Sequence, residues 1–236
     1  VDPHDLGETA RACMPTILQA FLGRPDDTPA GDAFERRLYV CRRTIEKKAD
    51  AEFALRDKIF YVCSMSSRTI VYKGMLVATQ MRRFFIDLND AAVKTAVALV
   101  HSRYSTNTTP SWERAHPNRF IIHNGEINTL KGNVNWIRAR EPNLYSPVLQ
   151  HDLERVMPII NREGSDSAIL DNVLEFLVMN GRPLTRAASM LLPEPWDHND
   201  SLSEERRAYD AYQSMLMEPW DGPAAIAFTD GRTLGA

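Results

Sequence analysis

The sequence predicts an α+β fold in which antiparallel strands form two facing sheets and helices cover the outer faces. Short runs of β-forming apolar residues recur along the chain, and longer segments with a helical period lie between them. Several of the β-forming runs are joined by connections too short for a parallel crossover. Apolar runs of this kind must be buried, and a second layer of structure provides the burial.

Two helices are predicted near the N-terminus. Apolar residues follow a helical period from Gly7 to Leu22, and Gly23-Arg24-Pro25 ends it. Asp32 is placed to cap a second helix, whose apolar positions are Phe34, Leu38, Cys41 and Ile45. The charged residues between them are interpreted as a solvated face. They are Arg36, Arg37, Arg42, Arg43, Glu46, Lys47 and Lys48.

Five segments are predicted to be strands because β-branched and aromatic residues dominate them. They are Ile59 to Ser64, Thr69 to Tyr72, Ala96 to His101, Arg119 to His123 and Ala224 to Thr229. Asp230-Gly231 is predicted to be the hairpin turn after the last of them.

The second half of the chain is predicted to be mainly helical. The clearest helix begins at Gly164-Ser165-Asp166-Ser167 and ends at Asn180-Gly181. The other predicted helices are a short one around Leu76 to Met81, Thr129 to Glu141, Pro183 to Met190, and Ser201 to Met217 with a capping box from Ser201 to Glu204. No domain boundary is evident, so residues 1–236 are treated as one domain.

Composition narrows the classes of partner. The formal net charge is −3, from 28 basic and 31 acidic residues, so no global field would recruit nucleic acid or an anionic membrane. No apolar run approaches a membrane span. The three cysteines, Cys13, Cys41 and Cys63, are widely spaced and indicate thiols of a reducing compartment, without a disulfide or a metal site. We expect a soluble cytoplasmic protein. The lack of an initiator Met suggests a piece of a longer chain.

Asn124-Gly125 follows an apolar β-forming run and has two interpretations. An Asn amide beside a Gly backbone N–H suits an oxyanion hole, where fixed donors meet charge developing on a carbonyl oxygen. The same dipeptide is also the strongest short signal for a hairpin turn.

Two further polar clusters lie at the ends of regular elements. Arg103 is either a surface ion-pair partner or a clamp for a carboxylate, and Asp166 is either a helix N-cap or a ligand for an ammonium group. With Asn124-Gly125, these groups complement a free α-amino acid that has a reactive carbonyl in its side chain.

Four motifs resemble the glutaminase domain of class II glutamine amidotransferases. They are H-S-R-Y-S-T-N-T at His101 to Thr108, A-H-P at Ala115 to Pro117, H-N-G-E-I-N-T at His123 to Thr129 and G-S-D-S at Gly164 to Ser167. Within that family, Ser66 to Met75 and Thr129 to Glu141 are similar to the large subunit of glutamate synthase. The resemblance implies an N-terminal-nucleophile hydrolase with a four-layer α/β/β/α sandwich, here incomplete at both ends.

The resemblance also implies residue roles. Arg103 and Thr106 would hold the glutamine carboxylate, Asp166 its ammonium, and Asn124 with Gly125 the oxyanion. The loop from Asn107 to Asn118 corresponds to a mobile loop that closes on glutamine, and His116 to a supporting histidine. The family's nucleophile is an N-terminal cysteine, whereas this chain begins with Val1 and lacks the first strand that would carry it and the last strands of the domain. We therefore expect this chain alone to be inactive.

For the whole protein, the resemblance implies hydrolysis of glutamine to glutamate and ammonia, and transfer of the ammonia to 2-oxoglutarate. It implies FMN, an iron–sulfur cluster and NAD(P)H or ferredoxin elsewhere, with the remainder of the large subunit and a small subunit as partners. One alternative is a non-catalytic module that binds glutamine or glutamate. Another, an amidotransferase with a different product, is disfavoured by the motif at Ser66 to Met75.

Overall fold

The structure is a computed structural model that describes residues 1–53, 59–104, 109–197 and 199–236. Its α-helices are α1 (Glu8–Ala12), α2 (Asp32–Phe53), α3 (Met81–Phe84), α4 (Leu130–Arg140), α5 (Leu153–Val156), α6 (Asp166–Met179), α7 (Leu184–Leu191) and α8 (Glu204–Leu216). Its strands are β1 (Ile121–Gly125), β2 (Ala224–Thr229) and β3 (Leu234–Gly235). Short 3₁₀ turns occupy Ala78–Gln80, Ile86–Asn89, Glu141–Asn143 and Gln150–Asp152. No helix in these ranges is long and apolar enough to cross a membrane.

The strands form one antiparallel sheet in the order β1-β2-β3. β1 pairs with β2 from Ile121 opposite Phe228 to Gly125 opposite Ala224, and β2 pairs with β3 through the predicted hairpin at Asp230-Gly231. Two of the five predicted strands are therefore confirmed, although β1 runs two residues beyond its predicted end at His123.

The other three predicted strands, Ile59 to Ser64, Thr69 to Tyr72 and Ala96 to His101, are not strands in the part of the chain that is described. Backbone amides in this region bond to side chains instead: Val71 N–H donates to Ser64 Oγ at 3.1 Å. Apolar side chains that a sheet would bury remain exposed, at 78% for Ile59 and 74% for Val100. A strand requires a partner strand for its backbone, and a local β-forming pattern does not supply one. The prediction of two facing sheets is not confirmed.

Two helix predictions require correction. The first helix ends at Ala12 instead of reaching Leu22, because Pro15 lacks a donor and restricts the residue before it; Leu18 and Phe21 consequently lie exposed. The last helix is capped by Ser203, whose Oγ accepts from Arg206 N–H, and not by Ser201. Two others are shifted: α2 begins at Asp32 itself, so Asp32 does not cap it, and the helix predicted around Leu76 to Met81 is a 3₁₀ turn followed by α3, which begins at Met81. The other predicted helices are present with small differences at their ends.

Helix α6 is the centre of the main hydrophobic core. It is apolar on most of its surface, as expected for a helix buried on several sides, and it packs against α2, α7 and β1. The buried residues that fill this contact are Ile169, Leu170, Val173, Leu174 and Leu177. A smaller cluster of Leu6, Phe84, Phe85 and Trp112 lies apart from it.

The charged face of α2 is partly buried, which contradicts the prediction of a solvated face. The Arg42 side chain is 2% exposed, and its guanidinium is 2.8 Å from Glu46 and 2.5 Å from Glu175 on α6. Arg119 lies 3.0 Å from the other oxygen of Glu46. Burial opposes ionisation of Glu46, but Arg42, Arg119 and Arg43 together keep its pKa below the usual value. These ion pairs join α2 to α6 and to the segment before β1.

Candidate functional site

The Asn124-Gly125 dipeptide forms the end of β1 and not a hairpin turn. Gly125 pairs with Ala224 and Asn124 with Ala225, which are about a hundred residues away along the chain. The turn interpretation is therefore wrong. The Asn124 side chain is exposed at the end of the strand, where its amide can meet a ligand.

Gly125 allows the two strands to approach closely at this end. Its φ is +139°, and a Cβ built on it would lie 1.9 Å from the Pro223 carbonyl oxygen. The same carbonyl accepts a hydrogen bond from Glu126 N–H at 3.2 Å. Only a residue without a side chain fits between these backbones.

Asp166 begins α6, but it is not the N-cap predicted as the simpler interpretation. Ser165 caps the helix, because its Oγ accepts from Ala168 N–H at 3.2 Å. Asp166 Oδ1 accepts instead from Ser167 N–H at 2.7 Å and from Ser167 Oγ–H at 3.1 Å. Its other oxygen, Oδ2, accepts from Ile127 N–H at 3.1 Å.

The bond between Ile127 and Asp166 brings two of the predicted clusters together. Ile127 lies two residues after Gly125, so the carboxylate of Asp166 lies beside the end of β1. The Asp166 side chain is 25% exposed, and no Lys or Arg in the described residues lies within 4 Å of it. A carboxylate has about four lone-pair positions, and three are filled here. The fourth position has no donor among the described residues and can accept from a ligand.

Helix α6 also fixes the beginning of β1. Asp171, which is 1% exposed, accepts from the backbone N–H groups of Arg119, Phe120 and Ile121 at 3.1, 2.8 and 3.1 Å. Burial raises the pKa of Asp171 to about 6; nearby Glu175 adds to the rise, while Arg119 and the N–H donors oppose it. One helix therefore positions both ends of the strand that carries Asn124.

Replacing Asp171 with Asn should lower the free energy of unfolding by about 2–4 kcal/mol. An amide has a single acceptor oxygen and would point its own N–H₂ at backbone N–H groups, which leaves buried donors unpaired. Urea denaturation measures the change. The matched control is Asp90→Asn at an exposed turn, where the amide oxygen can still accept from Ala92 N–H. Equal effects of the two substitutions would contradict this role for Asp171.

Three histidines surround the inner side of the site. His123 is buried, and its Nδ1 is 2.7 Å from Ser167 Oγ and 4.0 Å from Asp166 Oδ2. The rings of His101 and His116 lie 4.4 Å apart, and His101 also hydrogen-bonds the His123 backbone. Burial lowers the pKa of all three, that of His116 to about 4, with His101 and His123 adding to the effect. The rings are therefore neutral at pH 7.

The depressed pKa of His116 predicts a loss of stability in acid. Between its unfolded value of about 6.5 and its folded value of about 4, the unfolded chain binds a proton that the folded chain does not. The free energy of unfolding should therefore fall as pH drops through this window, by up to about 1.4 kcal/mol per pH unit. Asp171 has the opposite slope between its unfolded value of 3.8 and about 6, since its folded pKa is raised.

The test of this effect compares the wild type with His116→Gln, because the contribution of Asp171 then cancels. The difference in unfolding free energy between the two should change by about 1.4 kcal/mol per pH unit between pH 6.5 and 4. His151→Gln, at an exposed ring, serves as the control. Parallel stability curves for wild type and His116→Gln would show that His116 does not titrate in this way.

Of the residues predicted to hold the ligand's carboxylate, Thr106 lies outside the described residues, as do Asn107 and Thr108 at the start of the predicted mobile loop. Arg103 is exposed, and its backbone N–H donates to His101 Nδ1 at 3.3 Å. The contact between His101 and His123 brings the segment before Arg103 to β1. The role of the Arg103 guanidinium stays a prediction.

A cavity of about 750 Å³ lies near this site, with Tyr61, Cys63, Lys73 and Arg119 in its wall. It reaches the N-terminus of α6 at Ser165, but Arg103, Asn124, Gly125 and Asp166 are not part of its lining. The prediction that those four residues share one pocket therefore stays a prediction. Across the described ranges, no group of three or more His, Cys, Asp or Glu residues could hold a metal ion.

The sequence interpretation named His123 and Ser167 only within motifs and gave them no role, and it missed Asp171 altogether. Two of the three carried a signal. His123 occupies an inward position of β1, two residues after buried Ile121, and Asp171 is a carboxylate within the apolar surface of α6. A buried polar group needs a hydrogen-bond partner. A polar residue at a buried position of an apolar pattern therefore indicates a specific contact in the fold.

Comparison with known proteins adds a family assignment. The family model for class-II glutamine amidotransferases matches residues 1–236.

Curated relatives share substantial identity with the chain. It is 52% identical to the glutamate synthase [NADPH] large chain of Bacillus subtilis over 236 residues, which is 100% of this chain and 15% of the relative. It is 46% identical to glutamate synthase [NADH] of Schizosaccharomyces pombe, over 100% of this chain and 11% of the relative. It is 43% identical to the ferredoxin-dependent, chloroplastic glutamate synthase of rice, over 98% of this chain and 14% of the relative. The chain thus spans only 11–15% of the length of these relatives.

Proposed function

Because the chain belongs to the class-II glutamine amidotransferases, we propose that it forms the glutamine-binding part of a glutaminase domain, which hydrolyses glutamine to glutamate and ammonia. The observation that carries this proposal is the hydrogen bond from Ile127 N–H to Asp166 Oδ2, at 3.1 Å. It ties a carboxylate to the chain three residues after Asn124, at the end of the strand that carries this amide, and we propose that one ligand meets both groups.

Asp166 is proposed to bind the α-ammonium group of glutamine. Its carboxylate is partly exposed, and no Lys or Arg of the described ranges neutralises it within 4 Å. An ammonium group would supply the missing donor and the missing charge. Arg103 and Thr106 are proposed to bind the ligand's carboxylate at the other end, for which a guanidinium is well suited.

Asn124 and Gly125 are proposed to stabilise the oxyanion. When a nucleophile attacks the side-chain amide of glutamine, negative charge develops on the carbonyl oxygen. The Asn124 amide and the Gly125 backbone N–H would donate to that oxygen. The close pairing of β1 with β2 at this end supports the proposal, because donors that are already fixed in place need no reorganisation during the reaction.

The nucleophile is proposed to be an N-terminal cysteine that is not part of this chain. An N-terminal cysteine can use its own amine as the base, a setting that Cys13, Cys41 and Cys63 lack. Burial also raises the pKa of Cys63, which opposes formation of a thiolate. On this proposal, residues 1–236 are an incomplete type 2 amidotransferase domain. The complete domain would have a further strand before residue 1 and further strands after residue 236.

The four-layer α/β/β/α sandwich is proposed for the complete domain. The segments 59–64, 69–72 and 96–101 would then be strands that pair with chain outside residues 1–236. Their β-forming composition and the exposure of Ile59, Ile70 and Val100 support this, since pairing and a second layer would bury these side chains.

The whole protein is proposed to be a glutamate synthase that transfers the ammonia to 2-oxoglutarate, in agreement with the names of its relatives. FMN, the iron–sulfur cluster and the electron donor would then bind to the remainder of the large subunit, and a small subunit is a further proposed partner. The relatives' names include NADPH, NADH and ferredoxin, so both classes of donor stay open. A cytoplasmic location is likewise a proposal.

Ammonia release from glutamine tests this function. The purified 236-residue chain is assayed beside a longer chain that begins with the upstream cysteine. We expect turnover in the longer chain alone. Turnover in the short chain that is abolished by Cys13→Ala, Cys41→Ala or Cys63→Ala would contradict the proposed nucleophile. Binding of glutamine without turnover in either chain would favour a non-catalytic binding module.

A further inference from the structure

Two buried side chains with no role in the proposed reaction lie directly behind Asp166. Ser167 is 2% exposed and His123 is 4% exposed. Ser167 Oγ lies 2.7 Å from His123 Nδ1 and 3.1 Å from Asp166 Oδ1. Both are hydrogen-bond distances, so the three polar groups form a continuous chain from β1 to the beginning of α6.

The available protons fix the direction of these bonds. A serine hydroxyl has one proton, and a carboxylate oxygen can only accept, so Ser167 donates to Asp166 while its Oγ accepts from His123 Nδ1. Burial lowers the pKa of His123 and outweighs the opposing effect of Asp166, so the ring is neutral at pH 7. Its single proton must then lie on Nδ1.

The other ring nitrogen supports the same assignment. His123 Nε2 is buried and has no hydrogen-bond partner among the described residues. With the proton on Nδ1, Nε2 is an unpaired acceptor; with the proton on Nε2, it would be an unpaired buried donor. Buried N–H groups without an acceptor are the rarer case in proteins. With the proton on Nε2, Nδ1 would be an acceptor. The single Ser167 hydroxyl proton would then be donated to His123 instead of Asp166.

We propose that Ser167 and His123 are positioning residues for Asp166, and that they make this site selective for ligands with an α-ammonium group. The proposal rests on the proposed function, which gives Asp166 an ammonium group to bind. The Ser167 hydroxyl, with the two backbone N–H groups of Ser167 and Ile127, fixes the rotation of the carboxylate. The acceptor position that no described residue fills then points in a single direction, as a selective site requires.

The hydrogen-bond direction is tested without any ligand. Nitrogen-15 NMR of the 236-residue chain should show His123 as a neutral ring with the proton on Nδ1 at pH 7. In Ser167→Ala, that ring loses its partner and the tautomer populations should shift. A proton on Nε2 in the wild type would overturn the proposal, whatever the result of the ligand measurements.

Selectivity is tested by NMR titration of the longer chain, with its N-terminal cysteine changed to alanine so that glutamine is not turned over. The two ligands are glutamine and 4-carbamoylbutanoate, which lacks the α-amino group. Ser167→Ala should raise the Kd for glutamine by about 10-fold or more, as expected for loss of one hydrogen bond to a charged group. The Kd for 4-carbamoylbutanoate should stay unchanged. Equal changes for both ligands, or none, would reduce Ser167 to a structural residue and overturn the proposal.

Three further variants complete the test, and Ser165→Ala is the matched control. Ser165→Ala removes the N-cap of the same helix at a comparable cost in stability, but it leaves Asp166 untouched and should leave the Kd for glutamine unchanged. His123→Asn keeps an N–H donor close to the position of Nδ1 and should retain selectivity, whereas His123→Phe should lose it. If the longer chain with Ser167 intact binds neither ligand, the assignment of glutamine to this site fails, and the NMR of His123 still decides the direction of the hydrogen bonds.

Discussion

Replacement of Gly125 by alanine is expected to lower the free energy of unfolding by about 3–5 kcal/mol. Two costs combine. At φ +139° a residue with a Cβ is strained, and the Cβ itself would lie 1.9 Å from the Pro223 carbonyl oxygen, a backbone atom that cannot rotate away. The end of β1 must therefore separate from β2, which also displaces Asn124.

Thermal or urea unfolding measures this change, and Gly23→Ala is its control. Gly23 has no atom within 4 Å of a built Cβ and no positive φ, so its replacement should change stability by less than about 0.5 kcal/mol. Similar small effects at both positions would show that β1 and β2 can separate at Gly125 without cost. That result would remove the argument for a rigid end of the strand.

Replacement of Arg42 by methionine is expected to cost about 3–5 kcal/mol. Methionine preserves much of the side-chain length but leaves the carboxylates of Glu46 and Glu175 in the interior without their shared cation. Glu46 keeps Arg43 and Arg119 as partners, whereas no other cation in the described residues lies within 4 Å of Glu175. Most of the cost should therefore arise at Glu175.

That origin can be tested by adding Glu175→Gln to Arg42→Met. Removing the uncompensated charge should recover part of the lost stability, because the two changes act on one interaction. Arg37→Met is the control, since Arg37 and its partner Asp27 are both exposed and such pairs contribute about 0–1 kcal/mol. Strict additivity of the two buried substitutions would contradict a coupled pair of Arg42 and Glu175.

The parts of the fold that the sequence predicted well are those that depend on local signals. Helix α6 has a strong apolar period and Asn180-Gly181 at its end, so its bounds agree closely with the prediction, although Ser165 caps it instead of Asp166. The turn of the β2-β3 hairpin is predicted by the dipeptide Asp230-Gly231, a common hairpin-turn sequence. Pro15 was an equally local signal, and the predicted helix from Gly7 to Leu22 did not take it into account.

The failures concern properties that depend on distant residues. A β-forming run such as Ala96 to His101 does not specify its partner strand, and without a partner it is not a strand. The sequence pattern of charged residues at i and i+4 on α2 does not depend on whether the side chains face water or the protein interior. Arg42 faces the interior, where it pairs with the buried carboxylate of Glu175 on α6. Ser201 and Ser203 both precede acidic residues, so the choice between two caps was decided by the structure.

The candidate site shows the same division. Asp166 and Asn124 were recognised from their motifs, and the hydrogen bond from Ile127 N–H to Asp166 holds this carboxylate near the end of β1. Asp171 and Ser167 were not recognised, because their importance lies in which backbone or side chain they reach across the core. A buried polar residue within an apolar pattern is the signal to use in such cases.

The most direct test of the proposed oxyanion hole is the effect of Asn124→Ala on ammonia release by the longer chain that begins with cysteine. Loss of one oxyanion donor should lower kcat by about 10²–10³-fold and leave the Kd for glutamine nearly unchanged, because that bond strengthens only in the transition state. Asn128→Ala, at an exposed position three residues after Gly125, should leave both constants unchanged. An unchanged kcat in Asn124→Ala would contradict the assignment of the end of β1 as the site of the reaction.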